Sequence, residues 1–223
     1  MLTIGYIGNG KSANRYHIPY VLTRDNIKIK TIYDLRVSHD VWKEVEGVNY
    51  TENIDDLLND SEIDLIVICT TPKTHYELAK KVLNAGKNVM VEKPFMPTYE
   101  QAKEIFDLAK SKNLFVQTYQ NRRYDSDFLT VQKVIESGKL GEVFEIVLTF
   151  DYWRPEVPLN STRVPYYDTL YYGHVVHTMD QIISYFGKPD KVKYELKHLC
   201  GEDKMNDYYD IDMYYGNLKI TLK

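Results

Sequence analysis

Several stretches of the sequence hold residues whose types and spacing could do chemistry. Residues 8–13 read Gly8-Asn9-Gly10-Lys11-Ser12-Ala13, a G-x-G-x-x-A pattern. In a loop of this kind Gly8 permits a tight turn and Gly10 lets backbone N–H groups approach a pyrophosphate. Ala13 lets the following helix pack close on its strand, and the helix N-terminus faces the negative charge. The pattern alone is weak. Here it follows a strand-like run, opens a helix-like run and begins a strand–helix–strand unit, which is the context it requires. Gly8 to Ala13 is therefore expected to cradle a dinucleotide, in preference to forming a plain turn.

Further groups fall where such a ligand would lie. Asp34 ends the second strand-like run and is placed to bond a ribose 2′-hydroxyl, which favours NAD; Arg36 could instead meet a 2′-phosphate, so NADP stays open. The bland role for Asp34 is a turn or cap. Thr70, Thr71 and Pro72 follow "DLIVIC", and ligands of open α/β sheets sit beyond the carboxyl ends of strands. His75, one turn further, points either to the same cleft or to solvent. Glu92 and Lys93 close "NVMVEKP". A lysine at that point can take the proton of a substrate hydroxyl when burial and a cationic nicotinamide depress its pKa. Glu92 would orient it or bond a ribose, and a surface ion pair is the bland alternative.

The second half offers His174, His177 and Asp180, spaced by one helical turn. A metal there lacks a third ligand, so a substrate-facing histidine beside an aspartate is the better reading and no metal is expected. "YQNRRYD" gathers Gln120, Asn121, Arg122 and Arg123, which suit a polyhydroxylated or anionic substrate or, nearly as well, an interdomain hydrogen-bond network.

These residues need elements to hold them. Over residues 1–120 strands and helices alternate. "LTIGYIG", "IKIKTIYD", "VNY", "IDLIVICT", "NVMVE" and "LFVQTY" read as strands, and "SANRYHIPYVL" reads as a helix flawed by Pro19. Thr71 is a candidate cap with Pro72 in the first turn and Gly86 at the end of that helix. Thr98 and Gln101 form a candidate capping box before the next. Apolar strands without alternation, joined by helices, predict a doubly wound parallel sheet covered on both faces. Residues 121–223 change character to an α+β pattern. A helix precedes "EVFEIVLTFDYW", whose alternation puts Phe144, Ile146, Leu148, Phe150 and Tyr152 on one face of a predicted antiparallel strand. Residues 154–170 are Pro-rich, "HVVHTMDQIISYFG" is a helix, and the last strands bend at Gly216-Asn217 into a hairpin. The chain stops inside "LKITLK", which predicts an unpartnered edge and an incomplete second domain.

Composition narrows the classes. The 223 residues are 43% hydrophobic and 27% charged with a net charge of −4, ordinary for a soluble globular chain. No basic block points to nucleic acid, and no apolar run is long enough for a membrane. Cys69 and Cys200 have neither metal nor disulfide spacing, and a cytoplasmic protein is expected. The 20 tyrosines crowd the predicted strands, so strand propensity explains them better than a tyrosine-lined sugar site.

Together the "GNGKSA" loop, "AGKNVMVEKPF", "YQNRRYDSDFLTVQKVIESGKLGEVFE" and "GHVVHTMDQIISYFGKP" resemble the Gfo/Idh/MocA family over essentially the whole chain. The resemblance implies an N-terminal Rossmann domain and a C-terminal α+β domain with a mostly antiparallel open sheet. It implies NAD- or NADP-dependent oxidation or reduction of a sugar, an inositol-like polyol or a related carbonyl. It also implies Lys93 as acid/base, His177 as a proton-transfer or substrate-orienting group, and a homo-oligomer formed through the C-terminal sheet. Many members carry an aspartate four residues before this histidine; the position here is Gly173, and Tyr172, Asp168 or His174 are candidates to stand in for it. The alternative is a catalytically impaired cofactor-binding sensor or partner-binding protein on the same scaffold.

Overall fold

The computed structural model describes residues 1–35, 41–153 and 169–223. Arg36 and Asp168, and most of the Pro-rich stretch, lie outside the described residues. The chain forms two compact units, Met1–Tyr119 and Gln120–Lys223.

The first unit is built on six strands: β1 (Leu2–Ile7), β2 (Ile27–Tyr33), β3 (Asn49–Thr51), β4 (Leu65–Ile68), β5 (Asn88–Val91) and β6 (Val116–Thr118). They pair in the order β3-β2-β1-β4-β5-β6, and every pair is parallel. This is the doubly wound order that reverses between β1 and β4, beside the glycine loop. The crossovers include α1 (Ile18–Val21), α2 (Asp55–Leu58), α3 (Pro72–Asn84) and α4 (Tyr99–Ser111). Two apolar clusters cover the sheet. One joins Ile7, Ile66, Ile68, Val89 and Val91 to Val82, Leu83 and Ile105, and the other joins Ile4, Tyr6, Ile29 and Val67 to Ala13 and Ile18. Burial on both faces is why these strands read as continuous apolar runs.

The segment expected as one helix over 12–22 is not continuous. Ala13–His17 is a π turn, in which the Ile18 N–H reaches back five residues to the Ala13 carbonyl, and α1 restarts the coil with Pro19 near its start. Proline has no N–H and its ring collides with the carbonyl four residues earlier, so a regular α-helix cannot pass through it unbroken. The wider turn absorbs the misfit. Thr71 occupies the N-cap of α3 but its side chain makes no capping bond, whereas Thr98 accepts from Gln101 N at 3.2 Å and caps α4.

The second unit contains a 3₁₀ turn (Asn121–Tyr124), α5 (Ser126–Glu136), β7 (Glu145–Leu148), α6 (Leu170–Phe186), β8 (Lys191–Lys197), β9 (Tyr208–Tyr215) and β10 (Leu218–Leu222). The sheet order is β7-β10-β9-β8. Two expectations fail here. β7 is short and pairs parallel with β10, not antiparallel. "LKITLK" is no edge, since β10 lies between β7 and β9. Ile220 and Leu222 are fully buried with Ile211, Met213, Val175 and Ile182. The Gly216-Asn217 hairpin forms as read, with Gly216 at φ +59°.

Candidate dinucleotide site and the groups around Lys93

The glycine loop springs from the end of β1. Gly8 has φ +104°, and a Cβ there would lie 2.8 Å from the Cys69 carbonyl oxygen. A side chain is excluded by backbone conformation and by the neighbouring strand at once. Gly10 differs: a Cβ there would meet nothing within 4 Å among the described residues. The open space in front of Gly10 is the room a pyrophosphate needs, so these residues fit a dinucleotide. The loop is braced from β2. Gly8 N donates to the Tyr33 carbonyl at 2.7 Å, and Asn9 N donates to Asp34 Oδ2 at 2.7 Å. Asn14 Nδ2 reaches the Asn9 and Gly10 carbonyls at 3.0 and 3.1 Å. Asp34 thus stands at the carboxyl end of β2, beside the loop, with one carboxylate oxygen holding it. Lys11 is exposed and Ala13 is fully buried.

Glu92 lies one residue past β5 and is buried. Its Oε1 accepts from Ser12 Oγ at 2.7 Å and bonds His17 Nε2 at 2.9 Å, while its Oε2 accepts from the Lys93 backbone N–H at 2.9 Å. Burial pushes the Glu92 carboxyl up, but the His17 and Ser12 hydrogen bonds outweigh it and hold the group below the usual carboxylate range. Glu92 is thus neither a surface ion pair nor a group reaching for solvent. Ser12, expected to face the cofactor, turns its hydroxyl to Glu92. Lys93 itself is half-buried.

His17 was not legible as a site residue. Its ring lies 3.9 Å, centroid to centroid, from Tyr119 and edge-on to Tyr6 at 6.0 Å. Tyr119 OH donates to the Tyr16 carbonyl at 2.7 Å, and burial pushes its pKa up to about 12. The signal for His17 was Pro19, which marked a break in the helix without saying which side chain the break turns inward. Together with Cys69, His17 and Glu92 place three metal-ligating atoms within 4.8 Å of one another. Glu92 already accepts bonds on both oxygens, and burial, with the Glu92 charge, drives the Cys69 thiol well up. Of the three, His17 and Glu92 are hydrogen-bonded to each other, and Cys69 lies beside them.

His75 points neither to a cleft nor to solvent. It is fully buried, with Nδ1 3.0 Å from the Pro94 carbonyl and Nε2 3.2 Å from the Thr70 carbonyl. No surface of it is left for a cofactor; it fastens the turn after Lys93 to the end of β4. Burial lowers its pKa despite the facing carbonyls. Thr70 Oγ1 bonds Thr74 Oγ1 at 2.7 Å at the same strand end, and Pro72 begins α3.

In the second unit, Asp180 accepts from Arg123 Nε and Nη2 at 2.6 and 2.7 Å. This two-point pair corrects the substrate-facing role expected of Asp180: both carboxylate oxygens hold the 3₁₀ turn against α6. Arg122 pairs with Asp125 at 3.1 Å and stacks 4.9 Å from the Phe150 ring, and its carbonyl accepts from Gln181 Nε2 at 2.8 Å. Gln120 Oε1 is buried without a partner among the described residues, and Asn121 is exposed. His174 packs its ring 4.9 Å from Tyr152 and 5.7 Å from Phe150. His177 is buried on α6, and Tyr172 is half-buried in its first turn.

Comparison with known proteins assigns the lineage. Residues 2–120 match the profile "Oxidoreductase family, NAD-binding Rossmann fold", and residues 128–222 match the "GFO/IDH/MocA C-terminal domain". The chain belongs to the GFO/IDH/MocA oxidoreductase family. Its first unit is the family's NAD-binding Rossmann domain. The uncharacterized oxidoreductase YhhX of Escherichia coli strain K12 is 47% identical over 225 residues, covering 100% of this chain and 65% of YhhX. A crystal structure of an oxidoreductase from Bacillus cereus superposes with a TM-score of 0.93 at 47% identity, covering 100% of this chain and 64% of that one. More distantly, the scyllo-inositol 2-dehydrogenase (NADP(+)) IolW of Bacillus subtilis is 28% identical over 222 residues, 99% of this chain and 62% of IolW. The chain therefore spans a little under two thirds of the length of these GFO/IDH/MocA relatives. No helix among the described residues is long and apolar enough to cross a membrane.

Proposed function

We propose that this chain binds NAD or NADP and supports oxidation or reduction of a sugar, an inositol-like polyol or a related carbonyl compound. One observation carries the reading. The Glu92 carboxylate accepts from Ser12 of the glycine loop at 2.7 Å and from the Lys93 backbone at 2.9 Å. A loop shaped for a pyrophosphate and the backbone of a lysine suited to proton transfer are held by one carboxylate. Gly8 to Lys11, with Asp34, hold the dinucleotide, and Thr70, Thr71 and Pro72 border it. When bound, the nicotinamide supplies a hydride acceptor or donor. Lys93 Nζ takes the substrate hydroxyl proton during oxidation and returns it during reduction. His177 orients the substrate, with Gln120, Asn121, Arg122, Tyr172 and His174 as further candidate contacts. The name of IolW supports the polyol class and keeps NADP beside NAD. An exposed row on β8, Val192, Tyr194 and Leu196, supports assembly of copies through the second sheet.

Gly173 favours a second reading, dinucleotide binding without turnover, because the carboxylate that many relatives place before the histidine is absent. A polyol panel with calorimetry separates the two. The first reading expects turnover of some polyol that falls by about 10²–10⁴-fold in Lys93→Ala, with cofactor affinity nearly intact. Undiminished turnover in that variant removes Lys93 from the mechanism. Tight dinucleotide binding with no turnover of any substrate selects the second reading.

A further inference from the structure

We infer that His17 is a positioning residue that couples filling of the glycine loop to placement of the Lys93 amine, acting through Glu92. The inference rests on the dinucleotide reading above. The path is continuous and short. Ser12 belongs to the loop and donates to Glu92 Oε1 at 2.7 Å; His17 bonds the same oxygen at 2.9 Å; the other oxygen holds Lys93 N at 2.9 Å. No member of this path is a long, mobile side chain reaching through solvent. Glu92 is 4% exposed and His17 5% exposed. A buried carboxylate must keep its donors, so it cannot follow one of them without pulling on the others.

The backbone adds a second, independent observation. His17 ends the π turn, Ala13–His17, that begins directly behind the glycine loop. In a regular α-helix each residue advances about 100° around the axis, so the extra residue of the π turn redirects every side chain after it. Here it directs His17 toward Glu92, with the ring held between Tyr6 and Tyr119. A loop that shifts on meeting a pyrophosphate carries Ser12 and the start of the π turn with it. Glu92 receives that movement at two points and passes it to the Lys93 backbone. His17 need not touch the cofactor or the substrate to do this.

The test uses ADP-ribose, which fills the glycine loop but lacks the nicotinamide ring, so it cannot cover Lys93 as the whole dinucleotide would. The readout is the acylation rate of the Lys93 amine, followed by peptide mass spectrometry with and without saturating ADP-ribose. Calorimetry measures ADP-ribose affinity in parallel. In the unaltered chain ADP-ribose is expected to change the rate by about fivefold, the lower range of ordinary site-to-site coupling. His17→Phe keeps the ring volume and loses the bond to Glu92; the change should vanish. His17→Gln offers an amide donor near the position of Nε2 and should restore about half of it. A purely structural role would lower stability in both variants without separating them in this way.

A full ADP-ribose response in His17→Phe overturns the inference while leaving the dinucleotide reading standing. Failure of the unaltered chain to bind ADP-ribose, NAD or NADP overturns that reading and the inference with it. Should His17→Phe not fold, Ser12→Ala carries the same test from the loop side, and an undiminished response there refutes the coupling.

Discussion

Gly8 and Gly10 sit two residues apart in one motif, yet the structure gives them opposite burdens. At Gly8 an added Cβ would stand 2.8 Å from the Cys69 carbonyl oxygen and 3.0 Å from its carbon, on a backbone at φ +104°. The obstruction is the backbone of a buried strand end and cannot rotate away. A non-glycine residue held in that conformation costs about 1–3 kcal/mol, and overpacking against a rigid neighbour costs about 1–3 kcal/mol more. Gly8→Ala should therefore lose about 2–6 kcal/mol. For a chain of this size each kcal/mol lowers Tm by about 2–4 °C. At Gly10 φ is not positive and a Cβ meets nothing among the described residues within 4 Å. Gly10→Ala should leave stability within about 1 kcal/mol, while the methyl group fills the space where the pyrophosphate approaches. Dinucleotide affinity should fall by about tenfold, equivalent to about 1.4 kcal/mol. Urea denaturation followed by circular dichroism reads the first quantity and calorimetry with NAD and NADP reads the second. Equal destabilisation by the two variants, or unchanged affinity in Gly10→Ala, would refute the division of roles.

Three further outcomes are expected. Gly173 lies inside α6 with nothing among the described residues within 4 Å of its would-be Cβ, so Gly173→Ala should stabilise the chain by about 0.5–1 kcal/mol; a lower Tm would show that the position needs a bare backbone. Stability should fall on acidification in two stages, because burial lowers the folded-state pKa of His75 and hydrogen bonds hold that of Glu92 down against burial. In both cases the unfolded chain binds protons first, so the contribution is complete above the unfolded pKa, about 6.5 for His75 and about 4.3 for Glu92, and is lost as pH falls through the lower folded value. His75→Phe should shrink the loss between pH 7 and pH 5, and an unchanged slope in denaturation curves would assign it to another group. Finally, dialysis against EDTA should leave Tm unchanged; a drop accompanied by metal in the dialysate would make His17, Cys69 and Glu92 a metal centre instead of a hydrogen-bonded His17–Glu92 pair beside a thiol.

Local rules carried the sequence far in the first unit. Parallel strands buried on both faces show as apolar runs, so β1, β2, β4 and β5 were visible without any tertiary information. The glycine loop was visible because its residue types answer a backbone requirement, which Gly8 meets at φ +104°. The hairpin at Gly216-Asn217 was legible for the same reason. Pairing was harder. The alternation of β7 says that one face is packed, but not which strand lies beside it or in which direction. Its parallel partner β10 comes some seventy residues later. That late strand then takes an interior place that no local pattern announces.

What the sequence determined by itself was the set of elements and the chemical inventory: a dinucleotide loop, a lysine past a strand end, and histidines on a helix. These follow from side-chain period and backbone preference, which act over a few residues. Tertiary structure alone decided the partners. It turned Ser12 toward Glu92, buried His75 against the Pro94 carbonyl, closed Asp180 onto Arg123, and brought His17 into the site through a π turn. Apart from the partly exposed Asp180–Arg123 pair, each decision matches a buried polar group to donors or acceptors, as far as 80 residues away in the chain. Burial makes such matching compulsory, and only the folded chain settles which groups meet.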